Sequence, residues 1–276
     1  MVRSIVSLDP EAIAADAIAL AELNGGTGHE QVRIDWLGRR LADAAGSRHV
    51  DDAGNLVWTF GPAPYRLAVL ALEGHGSDRV FTDAVGSLRV RFTVTGPGGH
   101  SWWDRGRPSA VHALVGLLQA TTETAPAPLS VNVGLINGGT GVNAIAAQAS
   151  AAVEWRATDQ AALDRQEAAL ADLTVSPGLE LRAERLDRRP AGSVPVSHPL
   201  VAAVLRARRK VGLPEVTGDG STDANAALAA GIPAVALGCC EGENMHAPNE
   251  RIRADSIGTG AGQLRAVLAE IMERNP

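Results

Sequence analysis

The sequence predicts an α/β protein whose main domain is built from both ends of the chain and interrupted by a small α+β domain. Three observations predict this. Residues 67–72 and 234–237 are apolar throughout, as expected of strands buried on both faces of a sheet. Between them, Leu88, Val90, Phe92 and Val94 alternate with polar residues, the mark of a half-buried antiparallel strand. From that strand onward the pattern reads strand, helix, strand, strand, helix, strand, which is the order of a ferredoxin-like module. The expected division is 1–84 with 193–276 for the α/β domain, and 85–192 for the inserted domain.

Each element has a local reason. Residues 8–23 carry Ile13, Ala14, Ile18 and Ala21 at helical spacing, and Asp9-Pro10-Glu11 supplies a helix start. Asn24-Gly25-Gly26 ends it. Thr27 with Glu30 forms a capping-box pattern for a second helix to about residue 45. Short strands are expected at 48–51, 56–60 and 67–72, with Asp52-Ala53-Gly54-Asn55 as the turn between the first two. The middle domain then runs as a strand from residue 86, a loop at 96–108, a helix at 109–124, and strands at 129–135 and 149–156. A helix at 160–173 and a strand at 179–186 complete it. Residues 189–195 read as a linker. Helices at 198–211 and 224–230, a strand at 234–237 and a helix at 254–273 return the α/β style.

Composition narrows the function classes. The 276 residues carry a net charge of −6, so no basic stripe advertises nucleic acid. No apolar run approaches the roughly 20 residues of a membrane helix. The first residues run straight into an amphipathic pattern, without a signal-peptide core. A soluble, cytoplasmic protein with neither nucleic-acid nor membrane partner is expected. The two cysteines, Cys239 and Cys240, are adjacent and rarely bridge in that arrangement, which agrees with a reducing compartment.

Four segments carry the chemistry. They are Leu72-Glu73-Gly74 at a strand end; Gly96-Pro97-Gly98-Gly99-His100-Ser101 with Pro108-Ser109-Ala110 after a loop; Gly138-Gly139-Thr140-Gly141-Val142-Asn143-Ala144-Ile145 with Arg156 at the next strand end; and Gly220-Ser221-Thr222-Asp223-Ala224-Asn225 followed by Gly231-Ile232-Pro233-Ala234-Val235 and His246-Ala247-Pro248-Asn249-Glu250. In this order they resemble the zinc-dependent exopeptidase and deacylase family of glutamate carboxypeptidase, tripeptidase, acetylornithine deacetylase and succinyl-diaminopimelate desuccinylase, most of all its tripeptidase-like branch. The resemblance implies a two-zinc hydrolase acting on peptides or N-acyl amino acids and dimerising through the inserted domain. It assigns Glu73 and His246 as metal ligands. It assigns His100 to the partner's active site, where it supports the oxyanion. Asn143 and Arg156 become substrate-binding residues, and Thr222 with Asp223 the loop shaping the pocket.

The chain also departs from the family. Where a His-x-Asp motif should follow the strand at 67–71, Leu72-Glu73-Gly74-His75 stands instead. The His-x-Asp, the bridging Asp and the Glu-Glu pair are missing, as if an internal block had been excised. Each of the two zincs would keep one family ligand, against the three normal for a catalytic zinc. The base that activates water is gone too. The expectation is therefore a family member with impaired hydrolysis and at most weak or partial zinc binding, or a non-catalytic dimerising remnant. His75 lies two residues from Glu73, on the same face of an extended chain, so an accidental single-zinc site with His246 is a further possibility. Bland readings stand beside these: a solvated strand-end Glu73, loop histidines at 100 and 246, and a surface Arg156. The strand at 129–135, or its neighbour, is the expected dimer edge.

Overall fold

The computed structural model describes residues 9–24, 29–44, 46–52, 54–59, 68–123, 128–245 and 247–273. In chain order the elements are α1 (Pro10–Glu22), α2 (Gln31–Arg40), β1 (Ser47–Val50), β2 (Leu56–Thr59), β3 (Val69–Glu73), β4 (Val80–Ala84), β5 (Gly86–Thr95) and β6 (Gly99–His100). Next come α3 (Ala110–Glu123), β7 (Ser130–Gly138), β8 (Ala144–Ile145), β9 (Gln148–Ala157), α4 (Gln160–Ala169), β10 (Glu180–Arg189) and β11 (Gly192–Ser193). The chain continues with α5 (Pro199–Lys210), β12 (Thr217–Gly220), α6 (Ala224–Ala229), β13 (Ala234–Gly238), β14 (Gly242–Glu243), β15 (Arg251–Ile252) and α7 (Ile257–Glu273). Asp9 caps α1 by accepting the Glu11 N–H at 3.1 Å, as the start signal predicts. The capping box at Thr27 lies outside the described residues.

The middle of the chain forms an antiparallel sheet in the order β10-β5-β9-β7, with α3 and α4 packed on one face. Numbered within the module, that is the 4-1-3-2 order of a ferredoxin-like fold. Alternation drives it. Leu88, Val90, Phe92 and Val94 on β5 and Ala151, Val153 and Trp155 on β9 point to the helices and are buried. Trp155 meets Phe92 edge-on, with ring centroids 6.2 Å apart.

The second sheet runs β11-β4-β13-β3, with β12 pairing β4. β3 and β13 are parallel, while β4 is antiparallel to β13. Leu70, Val80, Val235 and Leu237 pack with Val201 and Val204 of α5 and Val267 of α7. The alanines Ala71, Ala234 and Ala236 pack with Ala224 of α6. Arg208 on α5 is fully buried, and it survives burial through its partners. It donates to the Pro214 carbonyl at 2.7 Å, the Ser77 carbonyl at 3.0 Å and the Gln263 side chain, tying α5 to α7 and to the β3–β4 loop.

Three readings change. β4 and β12 are strands where none is expected, and the linker at 189–195 contains β11, which pairs with β4. β4 hides because its buried positions, Val80, Thr82 and Ala84, include a threonine and its partner β12 is Thr-Gly-Asp-Gly. β3 is not buried on both faces: Leu72 is 49% exposed. The reason is local, since among the described residues β3 pairs with β13 alone.

Candidate functional site

Glu73 ends β3 level with Gly238 of β13, and its carbonyl accepts the Cys239 N–H at 2.8 Å. Strand alternation puts Glu73 on the face of Ala71, the face that α6 covers. The backbone N–H of Asp223, the residue before α6, acts on the Glu73 carboxylate from the α6 side. Burial pushes the Glu73 carboxyl up, and the Asp223 charge adds to this, opposed by that N–H and by the Arg189 charge.

The loop holding Asp223 is fixed by its own polar atoms. Thr222 is buried; its N–H donates to Asn225 Oδ1 at 2.8 Å and its hydroxyl accepts the Ala224 N–H at 3.1 Å. Asn225 Nδ2 donates to the Val85 carbonyl at 2.9 Å and the Pro190 carbonyl at 2.8 Å. One buried amide thus locks the loop to both strands that lead into and out of the small domain. Arg189 donates to Ser221 Oγ at 3.2 Å from the same direction. Sequence reasoning gave no role to Asn225, the last residue of its quoted string, or to Arg189. Arg189 sat in a presumed linker, and nothing local marks the asparagine as a clamp.

Beyond Glu73 the chain turns through Gly74 to His75, whose Nε2 lies 2.9 Å from Glu250 Oε1. With the carboxylate accepting, Nε2 carries the proton, and Nδ1 is left buried without a partner among the described residues. Gly242 permits the packing, for a Cβ there would lie 2.1 Å from the imidazole. The Cys240 thiol contacts the Gly74 carbonyl, and both cysteines are free. Burial raises the Cys239 thiol, with Cys240 and Glu73 adding to the shift. His246, the second expected metal ligand, lies outside the described residues. The described donors do not fit a two-zinc centre: Glu73 has Asp223 and Arg189 as charged neighbours, and no three His, Cys, Asp or Glu side chains converge among the described residues. His75 is engaged with Glu250.

The small domain presents its own cluster. β6 pairs with β8, so His100 stands opposite Ala144, and the Ser101 N–H donates to the Asn143 carbonyl at 3.0 Å. His100 and Asn143, far apart in sequence, are thereby adjacent. His100 Nδ1 accepts the Trp102 N–H at 3.1 Å and the Trp103 N–H at 3.4 Å, which leaves Nε2–H as the outward donor. The two tryptophans do not bury the ring; they are 63% and 76% exposed. Beside this hairpin lies a groove of about 650 Å³, lined by Gly98, Gly99, Asn137, Gly138, Gln148 and Ser150 among others.

Arg156 is not part of that cluster. It sits at the other end of β9, opposite Ser87 and Ser130, roughly 26 Å along the strand from Gln148. Its Nε donates to Glu154 Oε2 at 2.8 Å, and Glu154 also takes Arg89 at 2.8 Å. Burial raises the Glu154 carboxyl, but its hydrogen bonds from Arg156 and Arg89 and their charges outweigh this and hold it below the usual range.

Residues 83–180 match the family model described as a peptidase dimerisation domain. Solved structures extend the likeness of fold beyond it. A tripeptidase from Staphylococcus aureus aligns with a TM-score of 0.63 at 20% identity, covering 75% of this chain and 57% of that one. The aminopeptidase PepT from Bacillus cereus gives 0.59 at 20% identity, covering 74% and 57%. A hydantoinase/carbamoylase family amidase from Burkholderia vietnamiensis gives 0.55 at 22% identity, covering 74% and 54%. No curated protein matches the chain. The chain thus combines a stretch similar to that dimerisation domain with an α/β fold like that of these solved structures, and it spans a little over half of their length.

Proposed function

We propose that this chain is a homodimeric member of the zinc-dependent exopeptidase and deacylase family that binds peptides or N-acyl amino acids, with hydrolysis impaired. The observation that carries the reading is the setting of Glu73. The strand-end carboxylate, which the resemblance assigns as a metal ligand, stands on a fold that resembles the tripeptidases, but its charged neighbours are Asp223 and Arg189. The missing His-x-Asp and Glu-Glu motifs supply the rest of the argument. Zinc binding, if any, is weak or partial, and Glu73 and His246 are the residues that would share it.

Dimerisation through the small domain is supported by the contrast between its two edges. β7 is an edge strand that carries Leu135 and Ile136, 71% and 61% exposed. β10, the other edge, carries Arg182, Glu184, Arg185, Asp187 and Arg188, the charge pattern that keeps an edge unpaired. His100 and Asn143 lie on the same domain and would serve a site in the partner. Two free cysteines fit a cytoplasmic location, and no helix among the described residues is long and apolar enough to cross a membrane.

The test is zinc content by metal analysis together with turnover of a panel of dipeptides, tripeptides and N-acetyl amino acids. A dimer with well under one zinc per chain and no turnover is expected. Stoichiometric zinc with turnover abolished by a chelator would overturn the reading.

A further inference from the structure

Two strands carry the chain from one sheet to the other, and they cross as a pair. On the α/β side Ala84 of β4 stands opposite Gly192 of β11. On the small-domain side Ser87 of β5 stands opposite Arg189 of β10. Val85-Gly86 on one strand and Pro190-Ala191 on the other separate these pairs, so the antiparallel register passes through the junction unchanged. The strands are tightly apposed there. A Cβ on Gly86 would lie 2.6 Å from the Ala191 nitrogen and 2.9 Å from the Arg189 oxygen.

The junction cannot complete its own ladder, because Pro190 has no N–H. Side chains from both domains complete it instead. Asn225 of α6, 2% exposed, donates from Nδ2 to the Val85 carbonyl at 2.9 Å and to the Pro190 carbonyl at 2.8 Å. Its Oδ1 accepts the Thr222 N–H at 2.8 Å, which fixes the amide's orientation and leaves both of its N–H groups for the strands. From the small domain, Gln160 of α4 accepts the Ala191 N–H on Oε1 at 2.8 Å. The Val85 N–H donates to the Gly220 carbonyl at 2.9 Å. α6 itself lies against the crossing pair, for a Cβ on Gly192 would lie 2.8 Å from the Leu228 Cβ. Ala224, beside Asn225, packs with Ala71 of β3. One short helix thus bears on the main sheet and on both crossing strands at once.

A two-strand connection swings by splaying or sliding its strands. Either motion here would leave a donor of the buried Asn225 amide without a partner, and an orphaned buried donor costs more than the bond contributes. We propose that Asn225, assisted by Gln160, is a positioning residue that holds the small domain at one angle on the α/β domain. In the homodimer proposed above, that angle sets where His100 and Asn143 meet the partner. This consequence rests on the homodimer; the fixed angle stands without it.

The experiment is pulsed electron resonance on the full chain, with nitroxides attached through introduced keto side chains at position 168 on α4 and position 265 on α7. Excess unlabelled chain ensures that a single protomer reports. The wild type is expected to give one narrow distance peak. Asn225→Asp keeps the shape and the acceptor for Thr222 but removes both donors, and should lose that peak to a broad distribution. Gln160→Ala, which removes one acceptor, should broaden it less. Val204→Ala, in the buried α/β core, should lower Tm and keep the narrow peak. A broad distribution in the wild type, a narrow peak kept by a folded Asn225→Asp, a Gln160→Ala distribution identical to wild type, or broadening in Val204→Ala would each overturn the assignment. Where Asn225→Asp does not fold, the wild-type width and Gln160→Ala decide. Light scattering on the same samples reports the dimer separately: a monomer with a narrow peak would remove the homodimer and keep the role of Asn225.

Discussion

Glu154 in the small domain pairs with two arginines. Its carboxylate separates two guanidiniums, Arg89 and Arg156, on adjacent strands. Glu154→Gln leaves two like charges facing each other and should cost about 1 kcal/mol in denaturant unfolding at pH 7. Its folded pKa lies below the ordinary value of 4.5, so the stability it contributes is present above that value and is lost as pH falls through the folded pKa. The wild type and Glu154→Gln should therefore converge in acid. Glu73 carries the opposite sign. Its pKa is raised by burial and by Asp223, so the folded state holds the proton more tightly and stability declines as pH rises from 4.5 through the folded value. Glu73→Gln should raise Tm by about 1–2 °C at pH 7.5, kept small by solvent screening, with the gain gone near pH 4. A lower Tm for Glu73→Gln at pH 7.5 would mean that the Asp223 N–H outweighs the repulsion. The position of Glu73 at a strand end and of Thr222 and Asp223 before a helix was legible in the string. The difference between Arg156 and Arg189 was not. It depends on Glu154 being present two residues from one arginine and on Ser221, 32 residues away in sequence, meeting the other.

At the level of elements, alternation reveals strands that have one wet face and misses those that do not. β5 and β9 stand close to their expected bounds, since their inward residues are apolar and buried and their outward residues mostly polar. β12 has two glycines and an aspartate in four residues, and only its pairing to β4 makes it a strand. The doubly apolar pattern of β3 was legible, but burial on both faces needs neighbours that the pattern cannot guarantee. The edge strands supply a prediction of their own. Ile136→Lys or Leu135→Lys on β7 should convert the proposed dimer to monomer in light scattering at micromolar concentration, without loss of helical signal. Leu186→Lys on β10 should leave the dimer intact. A second prediction tests the core behind these edges. Trp155 is buried between β9 and the helices, so Trp155→Ala should cost about 3–5 kcal/mol in urea unfolding.

For the whole molecule the deciding quantity is how strongly metal binding couples to folding. A site that exists only in the native chain stabilises it by RT ln(1 + [L]/Kd), about 2.7 kcal/mol when free metal is 100 times Kd. In a chain of this size that is roughly 5–10 °C of Tm. An intact two-zinc centre should therefore announce itself in a zinc titration followed by thermal melting. Here the two ligands that the resemblance assigns are Glu73, beside Asp223 and Arg189, and His246, while Cys240 is packed on Gly74 and His75 on Glu250. Moving His75 or Cys240 onto an ion means giving up an existing contact, which lowers the net gain. Zinc can also bind histidine and cysteine in the unfolded chain, which reduces the shift further. The expected result is a Tm change of no more than about 1–2 °C at excess zinc, unaltered by Glu73→Ala. A rise of several degrees that disappears in both Glu73→Ala and His246→Ala would show that this chain still assembles a metal centre. It would also show that the missing motifs are replaced from within the molecule.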